Sequence, residues 1–368
     1  MDWFYSQPVD IYFGRGKTEI LPELLKGFSK PVIVCDSFFE GTGVLERIRR
    51  LTGAAAVYSD ISPNPDVSEV NRCSELLRKA GADVIAAVGG GSAIDTAKAA
   101  SLTAEDISEY HGTGKAVPGT HLPVIAVPTT AGTGSEVTCV SVLTDRSTGR
   151  KAPINSDSFY PAAAVIDPEL TLTVPPAVTA STGIDVLCHA IEGYWSIGHQ
   201  PICDALAVHA ASLVLDHLPR AVSAPDDINA REKLAEASVI AGLAFTLPKT
   251  TGAHACSFPL TAIWGIPHGE ACALTLDSFI RINAEDPHTG SLARKLGFGD
   301  PQLLADHIAE LKKRIGLRMD LADLRLNEEQ IRELVQKSRH PNLLNNPVEV
   351  TDGMLYEMYK RLSKIERK

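Results

Sequence analysis

No CxxC pair occurs among the seven cysteines of this 368-residue chain. The cysteines are scattered and odd in number, which leaves disulfide frameworks and zinc–thiolate knuckles poorly supported. Most lie in apolar runs, where a thiol serves as a small buried hydrophobe. Residues 1–13 lack a basic segment leading into a long apolar one, so no signal peptide is expected. No uninterrupted run of about 18 apolar residues occurs, so no membrane span is expected. A cytoplasmic location follows as the expectation. Basic charge is also in deficit: the formal net charge is -10. That argues against a general nucleic-acid binder, which needs clustered lysine and arginine to neutralise phosphates. It leaves room for a local basic pocket that holds a small anion. The GxGxxG dinucleotide fingerprint is missing too, as are internal repeats and low-complexity linkers.

What is present is an ordinary globular balance, 44% hydrophobic and 22% charged, over a length that suits two domains. Short β-rich runs at 9–13, 31–35, 54–58, 84–88, 124–127 and 163–166 alternate with helical patterns such as 67–80 and 93–103. That alternation predicts a mainly parallel sheet covered on both faces. Beyond Pro175-Pro176 the texture becomes helical, with apolar spacing over 177–195, 203–217, 230–244, 268–282, 303–315, 328–338 and 352–365. The expected architecture is therefore an α/β domain over 1–165 and an all-helical domain over 166–368. Ligands bind at the carboxyl ends of such strands, and a cleft between two domains is the expected active site.

A buried strand, residues 84–88, runs straight into Gly89-Gly90-Gly91-Ser92 and then a helix containing Asp95 and Lys98. Glycines let backbone approach a ligand, and a helix N-terminus offers N–H groups and a positive dipole end to a pyrophosphate. Ser92 and Asp95 also fit a capping box. A second strand, 124–127, leads into Thr129-Thr130-Ala131-Gly132-Thr133-Gly134-Ser135. Its hydroxyls and glycines suit either a nucleotide wrap or an ordinary polar loop. Asp36, ending the strand 31–35, suits a ribose diol and would repel a 2′-phosphate. It suits a turn equally.

Asp185 and His189 are four residues apart in a helical, largely apolar stretch, so they share one face. Buried together they need partners, and a plain Asp–His hydrogen bond is one explanation. His254 and His268 follow, the latter within Pro267-His268-Gly269. One carboxylate with three imidazoles suits a divalent ion such as zinc or ferrous iron. With an open position, such an ion polarises a carbonyl.

GGGSxxDxxK, PTTAGTGSE, Asp-x-x-x-His-x-x-Glu and the later His and Pro-His-Gly occur in register. Ser62-Pro63-Asn64-Pro65 and Ile166-Asp167-Pro168-Glu169-Leu170 accompany them. Over nearly its whole length the chain resembles the iron-containing (group III) alcohol dehydrogenases. The resemblance implies a dehydroquinate synthase-like architecture and a homodimer. It implies a metal, Fe2+ or Zn2+, on Asp185, His189, His254 and His268 as the catalytic set. It places Gly89, Gly90, Gly91, Ser92, Asp95 and Lys98 at the cofactor phosphates, with Thr129, Thr130, Thr133 and Ser135 along the dinucleotide. Lys151 would approach the nicotinamide ribose, and Asp36 would favour NAD(H) over NADP(H).

Two departures stand out. Many members carry a proton-relaying histidine four residues after the third ligand, whereas this chain has Phe258. Ahead of that ligand lies Lys249-Thr250-Thr251, which with the tail segment 339–347 resembles the subgroup that reduces phosphonoacetaldehyde or sulfoacetaldehyde. These three residues would form an anion pocket. The alternative is a solvated Lys249 and a threonine pair that merely starts a helix. The expected activity is reduction of a small anionic aldehyde by NADH. The rivals are a dehydrogenase of uncharged alcohols or 1,2-diols, a lyase like the dehydroquinate synthases, and a non-catalytic nucleotide-binding protein. No nucleic-acid or membrane partner is expected.

Overall fold

The structure is a computed structural model, and it describes residues 2–364; the last residue of the expected helix 352–365 lies outside them. The described chain divides into two compact units. One is Ser6–Val174; the other runs from Pro175 onward and includes the N-terminal residues up to Tyr5. The division falls somewhat beyond the expected position near 165. Residues 167–174 stay with the sheet because the buried Asp167 carboxylate accepts hydrogen bonds from Gly16 N, Thr18 N and Thr18 Oγ1. Leaving that carboxylate unpaired in an apolar core would be costly.

The first unit carries strands β1 (Asp10–Phe13), β2 (Pro31–Cys35), β3 (Ala56–Tyr58), β4 (Val84–Gly89), β5 (Val124–Pro128), β6 (Val140–Asp145), β7 (Arg150–Asn155) and β8 (Ala163–Ile166). Six of them form one sheet in the order β1-β8-β5-β4-β2-β3, every pair parallel. Period-two alternation sends side chains to both faces. Val32, Val34, Ile85 and Ala87 face one core, while Ile33, Cys35, Val84, Ala86 and Val88 face the other. Helices α1 (Leu21–Leu24) and α2 (Gly43–Thr52) contribute to the second core, and α3 (Val67–Ala80) and α4 (Gly91–Ala100) to the first. The strand order reverses between β2 and β4, which makes a topological switch point at their carboxyl ends. Asp36 and Gly89–Gly91 stand there.

The hairpin of β6 and β7 has no clear signature in the sequence pattern. Arg150, Lys151 and Pro153 fill β7 with residues that disguise a strand, and Pro153 is tolerated in a two-stranded ribbon because both strands are edges.

The second unit holds α5 (Pro176–Trp195), α6 (Pro201–Ser223), α7 (Ile228–Phe245), α8 (Gly252–Trp264), α9 (His268–Ile282), α10 (Pro287–Lys295), α11 (Pro301–Arg314), α12 (Glu328–Lys337) and α13 (Asp352–Leu362). Helix α5 is apolar nearly all round and buried from Thr179 to Trp195 apart from the half-buried Thr182, as a central bundle helix should be. It packs against α6, α7 and α9. Helix α8 escapes the sequence pattern because Gly252 and internal Pro259 disguise it. By length and composition α6 is apolar enough to cross a membrane; here it packs on α5 and α7, and Asp204, Asp216 and Arg220 interrupt it. All seven cysteines are buried and free.

Candidate active site

Helix α5 places Asp185, His189 and Glu192 on one stripe by their spacing. Helix α8 brings His254 and the N-terminus of α9 brings His268. The close approach of α9 to α5 depends on Gly269: a Cβ there would lie 1.9 Å from the Ser181 carbonyl oxygen and 2.8 Å from Asp185 Cβ. Gly252 is equally constrained, since a Cβ would meet the Phe279 ring at 2.0 Å.

Donor atoms of Asp185, His254, His268 and Cys272 all lie within 4.8 Å of one another. His254 Nε2 is 3.6 Å from Asp185 Oδ1, and Cys272 Sγ is 3.9 Å from His268 Nε2. His189 stands beside this group, its ring 4.6 Å from that of His254 and stacked on Phe245 at 4.2 Å. The sequence reading included His189 and overlooked Cys272, which lies one turn after His268 on α9. Burial holds the Cys272 thiol well above its ordinary pKa, so it sits there protonated.

The surrounding hydrogen bonds set the imidazole tautomers. Glu192, fully buried, accepts from Ala253 N at 2.6 Å, from Thr251 Oγ1 at 2.8 Å and from His254 Nδ1. A carboxylate only accepts, so His254 carries its proton on Nδ1 and presents a lone pair on Nε2. Ser257 Oγ donates to the His254 carbonyl at 2.8 Å and therefore accepts from His268 Nδ1 at 3.3 Å. His268 likewise keeps its Nε2 lone pair. One carboxylate and imidazole nitrogens with oriented lone pairs form a donor set for a borderline divalent ion, supported as metal ligands usually are from behind. Glu192 appeared in the sequence motif without a role, and only its partners reveal one.

The residues expected to grip an anion are differently disposed. Thr251 Oγ1, fully buried, donates to Glu192 and accepts from Trp195 Nε1 at 2.8 Å. Thr250 Oγ1 accepts from Asn342 Nδ2 at 2.8 Å, and its carbonyl accepts from Asn345 Nδ2 at 3.0 Å. The Thr251 hydroxyl is spent inside the protein, at the N-cap of α8, whereas the Thr250 oxygen accepts and keeps its own proton to donate. Lys249 is exposed and holds φ 69°, in the left-handed region. Asn342 and Asn345 tether the segment 341–345 to Thr250 rather than facing a ligand. His340, just before it, packs its ring 4.5 Å from Phe258, and Phe258 lies 6.3 Å from His268. A backbone N–H can only donate, so the 3.2 Å contact from Asn342 N makes His340 Nδ1 an acceptor. The proton of His340 is thereby on Nε2, and burial lowers its pKa, keeping the ring neutral.

In the first unit, the two loops at the switch point interlock. A Cβ on Gly91 would meet Thr133 Cγ2 at 2.7 Å, and one on Gly90 would come within 3.3 Å of Thr130 Oγ1. Gly89 has φ 155° and no room beside Asp36. Helix α4 begins at Gly91 with Gly90 as N-cap and no capping side chain. The Ser92–Asp95 capping box is thus replaced by a glycine cap, which leaves the first-turn N–H groups to a ligand. Asp36 accepts from Gly90 N at 2.9 Å, so one carboxylate oxygen anchors the turn. Thr129 N bonds the Gly89 carbonyl at 3.0 Å, and Thr133 Oγ1 accepts from Ser135 N at 3.2 Å.

Asp95 and Lys98 brace this cradle from beneath. Lys98 Nζ is fully buried and donates to Ser135 Oγ at 2.8 Å, Val140 O at 3.0 Å and Thr138 Oγ1 at 3.3 Å. An ammonium has three protons, so none remains for a phosphate; the role implied for Lys98 at the phosphates gives way to this internal one. Burial lowers its pKa to about 8. Asp95 accepts from Ser135 Oγ and from Val142 N at 2.9 Å. Lys151 Nζ donates to Asn64 Oδ1 at 2.7 Å. Beyond β2 and β3 a cavity of about 290 Å³ is lined by Ser37, Glu40, Ser59, Asp60, Ile61 and Ser62.

Residues 8–168 match the iron-containing alcohol dehydrogenase family, and residues 179–363 match the C-terminal domain of the same family. The chain belongs to the iron-containing alcohol dehydrogenases. It is similar over 100% of both chains to the sulfoacetaldehyde reductase of Bifidobacterium kashiwanohense, solved with NAD+, at 56% identity and TM-score 0.96. The NAD-dependent methanol dehydrogenase of Bacillus methanolicus is 32% identical over 354 residues, 91% of this chain and 92% of that one. A 1-propanol dehydrogenase of Citrobacter freundii is 37% identical over 287 residues, 77% and 74% of the two chains. This family member is an NAD-linked alcohol dehydrogenase or aldehyde reductase.

Proposed function

We propose that this dehydrogenase reduces a small aldehyde bearing a sulfonate or phosphonate, such as sulfoacetaldehyde or phosphonoacetaldehyde, with NADH. The full-length 56% identity to a sulfoacetaldehyde reductase carries the reading. Bound to Asp185, His189, His254 and His268, a ferrous or zinc ion supplies Lewis acidity toward the aldehyde oxygen. NADH supplies the hydride, its pyrophosphate held by Gly89–Ser92 and the start of α4.

The chain's own residues do the rest. Glu192 and Ser257 hold His254 and His268 in the ligating tautomer. Lys98 and Asp95 keep the threonine loop against the glycine turn. Asp36, Glu40 and Asp60 set carboxylates at the ends of β2 and β3, which supports NAD(H) over a 2′-phosphorylated cofactor. With Thr251 spent, the anion grip falls to Lys249, to the Thr250 hydroxyl and to the neutral Nε2–H of His340. Thr250 and His340 are linked, because Asn342 bonds both. A lysine held in the left-handed region costs about 1 kcal/mol and marks a position worth that strain. Phe258 has no proton to give, so the product oxygen takes its proton from another donor, water or the ribose hydroxyls of the cofactor.

The second reading, an uncharged short-chain alcohol or 1,2-diol, is favoured by the exposure of Lys249 and by the relatives that oxidise simple alcohols. NADH oxidation by iron-loaded and zinc-loaded protein with sulfoacetaldehyde, phosphonoacetaldehyde and propionaldehyde in parallel separates the two. Preference for an anionic aldehyde is expected; turnover of propionaldehyde alone would discard the anion site and keep the dehydrogenase.

A further inference from the structure

A second group of metal-ligand atoms lies in the helical unit, apart from the Asp185 set. His199 precedes α6, Asp204 sits in the first turn of α6, and His288 sits in the first turn of α10. One donor atom from each comes within 4.8 Å of the other two. His199 Nδ1 is 3.2 Å from Asp204 Oδ2, and the two imidazole rings are 3.8 Å apart, tilted by 51°. Two polar atoms in this group, Asp204 Oδ1 and His288 Nδ1, are buried and make no hydrogen bond. Each orphaned buried polar atom is costly, on the order of 1–3 kcal/mol. Two such atoms within one cluster of three ligand-type side chains call for a shared ligand.

From these atoms we infer a second metal site, formed by His199, Asp204 and His288, for a borderline divalent ion of the zinc class. The donor set decides the class. Two imidazoles and one carboxylate suit Zn2+, Co2+ or Ni2+, whereas Mg2+ and Ca2+ require oxygen ligands. The three residues are held independently of the ion. His199 N bonds the Ser196 carbonyl at 2.9 Å, Gln200 caps α6, and Asp286 caps α10 through His288 N at 2.9 Å. The donors are thus preorganised, and three protein ligands leave a position for water.

The site is structural rather than catalytic. It ties the α5–α6 corner to α10, and that corner holds the loop before Thr250: Ser196 Oγ donates to the Pro248 carbonyl at 2.6 Å. Protons compete for the same atoms, and the groups facing them are Asp204, His199, His288 and the nearby Lys295 ammonium.

The test is metal content by mass spectrometry after dialysis of the full-length protein against micromolar Zn2+. The expected result is a loss of one equivalent per chain on His288→Ala and on the isosteric Asp204→Asn, with the remaining equivalent retained. Zinc should also raise the Tm of the wild type more than that of either variant. In the cobalt-loaded protein, the d–d absorption removed by His288→Ala should contain no thiolate charge-transfer band. Equal zinc content in wild type and both variants would overturn the site and leave a plain His199–Asp204 hydrogen bond. Circular dichroism of the variants separates loss of metal from loss of fold.

Discussion

Glu192 on α5 accepts the Nδ1 proton of His254 on α8, and it does so while also accepting from the backbone N–H of Ala253 and the hydroxyl of Thr251. One buried carboxylate therefore orients a candidate ligand, caps the helix that bears it and fixes the preceding loop. Glu192→Gln keeps the shape but exposes His254 to the wrong tautomer. Metal affinity should fall by about 10–100-fold, the usual cost of losing such a partner. A chelator competition titration measures it, and an unchanged affinity would remove Glu192 from the metal's support.

Gly269 is the point at which α9 touches α5. Gly269→Ala must displace either the Ser181 carbonyl or the helix, at a cost of roughly 3 kcal/mol, the upper end for overpacking. The expected outcome is a lowered Tm together with reduced metal occupancy, because His268 is the adjacent residue. Gly265→Ala, where a Cβ meets nothing within 4 Å, serves as the contrast; its positive φ should cost only about 1 kcal/mol.

Lys249 separates strain from function. Lys249→Asn places a residue tolerant of the left-handed region there and should stabilise the chain by roughly 0.5 kcal/mol. The same change should raise KM for an anionic aldehyde by about 10-fold or more, the worth of a charge-assisted hydrogen bond. Propionaldehyde kinetics should not move. A stabilised variant with unaltered KM would show that the lysine is only solvated.

His340→Ala should raise KM for the anionic aldehyde by about 3–10-fold, as expected for a neutral donor. Because Nδ1 is occupied by Asn342 N and the ring stays neutral, the pH profile of kcat should be unchanged. A shifted profile would instead make the ring a proton carrier.

Glu136 is fully enclosed at the end of the threonine loop, and burial raises its pKa to about 7 from 4.5. The folded state therefore binds a proton that the unfolded state releases between these values. Its contribution to stability is full below pH 4.5 and lost as pH rises through 7, on the order of 3 kcal/mol at 1.36 per unit. Denaturant melts between pH 5 and 8 should show wild type falling relative to Glu136→Gln across that window. Parallel curves would mean that Glu136 stays ionised throughout.

Much of this protein was already decided by its sequence. Short continuous apolar runs, alternating with helical patterns, set the six parallel strands, since a strand buried on both faces needs apolar residues throughout and that is a local property of the sequence. Three consecutive glycines after a buried strand marked the turn at the switch point, and Asp185 with His189 marked one helical face. Elsewhere the local signal was misleading or silent. Arg150, Lys151 and Pro153 concealed β7, and Gly252 with Pro259 concealed α8. Lys98 looked like a phosphate ligand until Ser135, Thr138 and Val140, some forty residues away, were seen to take its three protons. Thr251 looked free until Trp195 and Glu192 occupied it. Cys272 and the tautomers of His254 and His268 depend on which helices meet. A sequence specifies which groups are available to bond, but the partners of a buried hydroxyl, ammonium or imidazole are chosen by packing between distant segments, and only the tertiary structure makes that choice.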